Sequence, residues 1–319
     1  MKPVRLSAGI LLAAAVAFLL PPLLSPGLDD WCTRLSTLIL VAVSWNMMAN
    51  AGLISLGHSG FWGLGAYTAA LLANAFHVPF WLSFLPGMLV GGLFGVALAY
   101  LTGRLRGLFF AISTLAMSEA LRVVALMVPR LTGGAEGVFV FDALRPSRTT
   151  LTTVALLLTI GAVTISYLLT KSRYQYALRA MRDGEDTVQM LGVNPVRFRA
   201  GITALSGSLA SCAGVISAWY TGYLDPHSAF DLKITITSQI APLFGGLYTV
   251  AGPVLGSFAI LTISELTRLH LGYSAGVGLL AYGVILVFGV LFMPSGIAGV
   301  GRRWVGRWKS HSKLATHSS

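Results

Sequence analysis

Charge is what this sequence has least of. Of its 319 residues, 22 are Lys or Arg and 11 are Asp or Glu, a tenth of the chain, whereas a soluble domain carries about a quarter. Cysteine is scarce too. Cys32 stands in a short polar link and Cys212 in an apolar run, which argues against a disulfide and more strongly against a metal site. No G-x-x-x-x-G-K-[ST] loop occurs, so the polypeptide does not bind and hydrolyse ATP in the usual way. H-E-x-x-H is also missing, and no acidic residue lies near His58, Ser55 and Ser59 in sequence, so no catalytic residues are assigned. A series of intramembrane carboxylates, as a proton-driven carrier would use, is absent: Glu119 and Glu265 sit near helix ends, each with an Arg one turn on. A sodium-coupled carrier built from broken helices and backbone carbonyls would look similar.

Apolar residues are what is present. They make up 55% of the chain, the mean hydropathy is +0.77, and runs long enough to cross a bilayer as helix recur from end to end. The polar stretches 129–150, 171–199 and 302–319 are too short for a soluble core. The expected fold is an all-α polytopic membrane protein. The formal charge of +11 points to topology rather than to nucleic acid, because the cations cluster at Lys2 and Arg5, at Arg104 and Arg106, from Lys171 to Arg199 and from Arg302 to Lys313, a positive-inside pattern. The N-terminal run resembles a signal peptide but is long and lacks an A-x-A site, so it is expected to be an uncleaved first span.

Spans are expected at 7–24, 35–50, 54–76, 80–102, 107–128, 151–170 and 200–222. Residues 234–270 are either one tilted span or two short ones broken at "GGLYTVAGP". With two, and a last span at 276–293, the basic tail lands on the same side as the other cations. Parity therefore favours about ten transmembrane helices, some interrupted, with both termini cytoplasmic. Residues 1–301 would form the transmembrane domain and 302–319 a basic cytoplasmic tail. Gly245, Gly246, Gly252 and Pro253 break helix hydrogen bonding, which a bilayer tolerates only where protein or a water-filled cavity satisfies the freed groups.

Small residues recur at helical spacing. Gly87, Gly91 and Gly95 share a face, and Gly57, Gly60 and Gly63 recur in "ISLGHSGFWGLGAY", a spacing for close helix packing. In that stretch Ser55, His58 and Ser59 are either polar edges of a translocation pathway or hydrogen-bonded packing groups. "SEALR" at 118–122 and "SELTR" at 264–268 form a weak internal echo. The loop "KSRYQYALRAMRDGEDTVQMLGVNPVRFRAG" has helical periodicity, Gly192 as a stop, and Asn194 and Pro195 as the cap and first residue of the next helix.

That loop, "SRYQYALRAMRDGEDTVQMLGVNPVRFR", resembles the cytoplasmic loop of permease subunits in branched-chain amino acid ABC importers, where a short helix docks in the ATPase. "AGLISLGHSGFWGLGAYTAALL", "RGLFFAISTLAMSEALR" and "LFGGLYTVAGPVLGSFAI" are similar to further blocks of the same family, in order, over about 35–300. In detail the chain resembles the M-type member of the paired permeases, and urea permeases are closely similar. The resemblance implies a permease subunit in a bacterial inner membrane, beside a second permease, two ATPase subunits that use the ATP, and an external solute-binding protein. It implies an ATPase-coupling loop with Arg179, Arg182, Glu185 and Gly192; Ser55, His58, Ser59, Gln239, Gly245 and Gly246 are the residues expected to line the pathway. No cofactor is expected on this chain. Gln239 and Pro242, in "ITSQIAPLFGG", depart from the family's aliphatic pattern, which leaves a urea or short-chain amide cargo as the alternative.

Overall fold

A computed structural model describes residues 3–140, 145–190 and 194–271 together with residues 283, 284, 287 and 296. The expected last span 276–293 and the tail 302–319 lie almost wholly outside the described residues. The chain divides into two compact units, one up to Ser238 and one from Gln239.

The first unit is a helix bundle. Its elements are α1 (Pro3–Leu19), a 3-10 turn, α2 (Pro26–Ala49), α3 (His58–Phe76), α4 (Phe80–Leu101), α5 (Gly107–Met127), the short α6 (Pro129–Thr132), α7 (Arg148–Lys171), α8 (Arg173–Asp183), α9 (Glu185–Met190), α10 (Pro195–Thr221) and the short α11 (Pro226–Ala229). A two-residue strand β1 (Val138–Phe139) pairs antiparallel with β2 (Tyr223–Leu224). Among the described residues five helices, α2, α4, α5, α7 and α10, are long and apolar enough to cross a membrane by length and composition. α3 has 19 residues, but its His, Ser, Asn and glycines dilute its hydropathy.

Backbone chemistry sets the boundaries. Ser25 precedes Pro26 at the first turn of α2, where proline's fixed φ suits a helix start. α2 thus begins nine residues before the expected span, because Asp29, Asp30 and Arg34 hide its first turns from a hydropathy reading, and Cys32 lies in this helix rather than in a link. Ser147 accepts from Thr150 N–H at the start of α7. Asn194 accepts from the N–H groups of Val196 and Arg197, with Pro195 at the first position of α10, as the sequence predicts. Arg199, 3% exposed, donates through Nη1 to the carbonyls of Thr102, Gly103 and Leu105 at 3.2, 3.4 and 3.0 Å, closing the end of α4 where helix carbonyls lack partners.

α10 is the central element, buried along most of its length like α2, whereas α4, α5 and α7 bury one face. Its neighbours reach it through glycine. Gly65 of α3 faces the Ser211 backbone, and Gly87, Gly91 and Gly95 of α4 face Val215, Ser211 and Thr203. Leu82, Leu85, Leu89 and Leu93 point out of α4, each more than half exposed. This inside-out pattern fits a bilayer, where leucine gains nothing by leaving lipid and association rests on close packing. Ser211 Oγ donates to the Phe61 carbonyl at 2.7 Å and Ser208 Oγ to that of Met88 at 2.9 Å, adding polar ties between the same helices.

In the chain from residue 232 onward, α12 (Leu232–Gly245) and α13 (Ala251–Leu271) follow one another around a reversal. A Cβ on Gly245 would meet the backbones of Gly252 and Gly256, and one on Gly256 the carbonyl of Ala241, so the two helices run antiparallel, backbone against backbone. Gly246 (φ 127) and Tyr248 (φ 63) make the turn with left-handed backbone. Thr249 Oγ1 donates to the Gly246 carbonyl at 2.8 Å and accepts from Gly252 N–H at 2.9 Å. The break therefore falls where the glycines placed it.

Candidate translocation segment and coupling helices

Between α2 and α3 the chain leaves the helix for residues 50–57, so the expected span 54–76 starts four residues late, at His58. Gly52 turns with φ +78. The freed backbone is satisfied from neighbouring helices and from within the segment: Leu56 N–H donates to Thr114 Oγ1 at 2.9 Å, Gly57 N–H to Ser55 Oγ at 3.2 Å, and Trp45 Nε1 to the Ser55 carbonyl at 2.9 Å. Gly57 lies so close to the Thr114 carbonyl that any Cβ would collide with it. Irregular backbone inside a membrane bundle is tolerated only when surrounding protein supplies partners in this way.

Ser55, His58 and Ser59 are each at most 2% exposed. The Ser206 hydroxyl donates its one proton to the Ser44 carbonyl at 2.8 Å, so toward His58 it acts as acceptor and receives Nε2–H at 3.2 Å. This assigns the ring proton to Nε2 and leaves Nδ1 buried without a hydrogen-bond partner among the described residues. The ring meets Phe61 edge to face at 5.7 Å. Ser59 joins a small network: its N–H donates to Thr235 Oγ1 at 2.9 Å, Thr235 Oγ1 donates to Ser59 Oγ at 3.1 Å, and Ser59 Oγ and Ser118 Oγ stand 2.9 Å apart. The network ties α3 to α5 and to the start of α12.

Of the other sequence-predicted residues, Gln239 is half-buried in α12, and Gly245 and Gly246 are buried at the reversal. The expected Glu119–Arg122 pair forms, and Arg122 Nη1 also lies 3.0 Å from His227 Nδ1. Among the described residues no group of three His, Cys, Asp or Glu side chains comes together that could hold a metal ion.

The loop 171–199 carries two helices where its periodicity and the Gly192 stop predict one. Gly184, extended at φ 175, separates α8 from α9. Leu178, Met181 and Val188 turn inward at 2–3% exposure, while Tyr176 and Met190 stand 75% and 81% exposed. Arg179 is exposed and Arg182 half-buried; Glu185 begins α9, and Gly192 lies outside the described residues. Sequence reasoning missed how α8 meets the irregular segment. Gln175, 2% exposed, donates through Nε2 to Asn50 Oδ1 at 3.2 Å. Arg182 packs over Gly52, its Cα 3.1 Å from where a Cβ would stand. α8 thus touches the chain that leads into His58. Only Gly52, two residues after Asn50, hinted at this contact.

Comparison with known proteins follows the same lines. The family model for the branched-chain amino acid transport system / permease component matches residues 27–293. The high-affinity branched-chain amino acid transport system permease protein LivM of Salmonella typhimurium is 28% identical over 317 residues, covering 90% of this chain and 73% of the relative. LivM of Escherichia coli is 28% identical over 321 residues with the same coverage. A probable branched-chain amino acid transport permease protein LivH of Methanocaldococcus jannaschii is 29% identical over 276 residues, 80% of this chain and 84% of the relative. No solved structure matches the chain. With its helical bundle, its glycine-packed centre and a match running from the start of α2 to residue 293, the chain is a multi-pass membrane protein that belongs to the branched-chain amino acid transport system permease family.

Proposed function

We propose that this chain is the transmembrane permease subunit of an ATP-binding-cassette importer for branched-chain amino acids, in a bacterial inner membrane. The observation that carries the reading is the family match over 27–293. In this reading residues 1–301 are the permease domain and the chain works beside a second permease subunit, two cytoplasmic ATPase subunits that bind and hydrolyse ATP, and an external solute-binding protein. The ATPase-facing element is the α8–α9 loop with Arg179, Arg182, Glu185 and Gly192; its exposed Tyr176 and Met190 are the kind of apolar side chains a partner subunit covers. Ser55, His58, Ser59, Gln239, Gly245 and Gly246 are assigned to the pathway. Labelled leucine, isoleucine, valine and urea, offered to cells with and without the gene, test the substrate. Branched-chain amino acid uptake is expected to need the chain and urea uptake to ignore it; the opposite pattern transfers the cargo to urea.

The topology we propose has about ten spans, both termini and the 302–319 tail being cytoplasmic. α12, with 14 residues, is about 21 Å long, short of the roughly 30 Å hydrocarbon core, so the reversal after Gly245 is placed within the membrane and α13 returns outward. A single cysteine replacing Lys313 is expected to resist an impermeant maleimide in intact cells, and one replacing Gly272 to react. Reversed labelling would rule this arrangement out.

His58 has a split expectation that separates pathway from packing. Gln in its place keeps an N–H donor for Ser206. As a pathway residue, His58→Gln leaves the amount of assembled complex at wild-type level and changes turnover per complex severalfold. A fall in assembly with unchanged turnover per complex would reduce His58 to a packing group.

A further inference from the structure

At the end of the bundle where α2 and α7 begin and α10 finishes, opposite α8 and α9, lies a cavity of about 450 Å³, within the range of small-molecule sites. Two acidic residues, Asp29 and Asp30, and two basic ones, Arg145 and Arg148, are among those that line it. Most of these charges are already engaged. Asp30 accepts from the Tyr220 hydroxyl and pairs with Arg34 at 3.1 Å, and Arg145 Nη2 donates to the Tyr220 carbonyl at 2.6 Å. Asp29 differs: it is 6% exposed, and its Oδ1 has no hydrogen-bond partner among the described residues. A buried carboxylate oxygen without a donor is costly, and an arriving N–H donor relieves that cost. Arg148 is exposed at the rim, where its planar fork suits a carboxylate.

The lining is balanced, two anions against two cations. A monovalent cation or anion entering it would leave one sign in excess, and an uncharged amide would engage neither strongly. A molecule carrying both signs a few ångströms apart meets both. Leu151 and Trp219 add apolar wall to the same cavity, room for an aliphatic side chain. We propose that this cavity is a binding station for a zwitterionic α-amino acid, with Asp29 receiving the α-ammonium and Arg148 the α-carboxylate. The proposal rests on the transport reading above and deepens it, because it assigns the cargo's backbone chemistry to residues of this chain and excludes urea from the station.

The test uses the full chain with its importer partners in vesicles. Cys32 and Cys212 are replaced by Ser, and Pro146→Cys, on the cavity wall, reports occupancy through its rate of modification by a small thiol reagent. Saturating L-leucine is expected to slow modification at least about fivefold, while L-leucinamide, which lacks the carboxylate, N-acetyl-L-leucine, which lacks the ammonium, and urea leave the rate unchanged. Asp29→Asn removes the protection and keeps the unprotected rate. Arg148→Gln, at the exposed rim, does the same and serves if Asp29→Asn does not fold. Equal protection by all probes, none by leucine, or protection that survives in the variants overturns the station. Leucine uptake by the same vesicles separates the two readings: uptake without protection sinks the station alone, and loss of uptake by the wild-type assembly sinks the transport function beneath it.

Discussion

In the Gly65→Leu variant, folded protein recovered from the membrane is expected to fall severalfold below wild type. A Cβ at position 65 would collide with the Ser211 backbone of α10, carbonyl included, and backbone, unlike the end of a flexible side chain, cannot step aside. α3 and α10 must then separate, and Gly91 of α4, which meets Ser211 and Gly207 on the same stretch of α10, loses its seat as well. Overpacking of a well-packed contact costs on the order of 3 kcal/mol, a large share of the 5–15 kcal/mol that holds a typical fold together. It corresponds to a fall in Tm of roughly 5–10 °C, read by thermal-shift size-exclusion chromatography. Gly161→Leu is the control: nothing stands within 4 Å of a Cβ built on Gly161 of α7, so its Tm should match wild type. Equal stability of the two variants would show that glycine contact at α10 does not hold the bundle.

Replacing Tyr176 and Met190 together by Glu is expected to leave a folded, inserted chain that no longer couples ATP hydrolysis to uptake. Both side chains are exposed, at 75% and 81%, so their loss removes nothing from this chain's own packing. If the ATPase covers them, two buried carboxylates without partners would cost the interface about 2.7 kcal/mol or more, on the order of a 100-fold weaker complex. Copurification with the ATPase and uptake driven by the loaded binding protein both report the loss. Leu178→Glu, at a position 2% exposed, should instead disrupt the loop itself and lower the Tm, separating docking from folding. Variants at 176 and 190 that copurify and transport normally would move the docking surface elsewhere.

Much of the architecture was legible in the sequence because membrane helices obey a simple rule: apolar length gives a span, and glycine or proline gives an end. The helix after Asn194 and Pro195, the reversal after Gly245, and the glycine face of α4 all follow from local chemistry that needs no neighbour. Boundaries failed where charge or irregular backbone intervened. Asp29, Asp30 and Arg34 concealed the first turns of α2, and the segment before His58 stays out of the helix because Thr114, Trp45 and Ser55 supply its hydrogen bonds, Thr114 from a helix that the sequence does not place beside it. Gly184 split a loop helix that periodicity alone had joined.

The sequence by itself determined that this chain is a helical membrane protein, that a break falls after Gly245 and which faces carry glycine, since each depends on residues within a few turns of one another. Only the tertiary structure decided that α10 is the centre, that His58 donates to Ser206 across 148 positions, that Gln175 reaches Asn50 across 125, and that Asp29 and Arg148 line one cavity. The physical reason is that helix packing in a membrane rests on close backbone approach and on pairing buried polar groups, and which helix supplies the partner is a property of the assembled bundle.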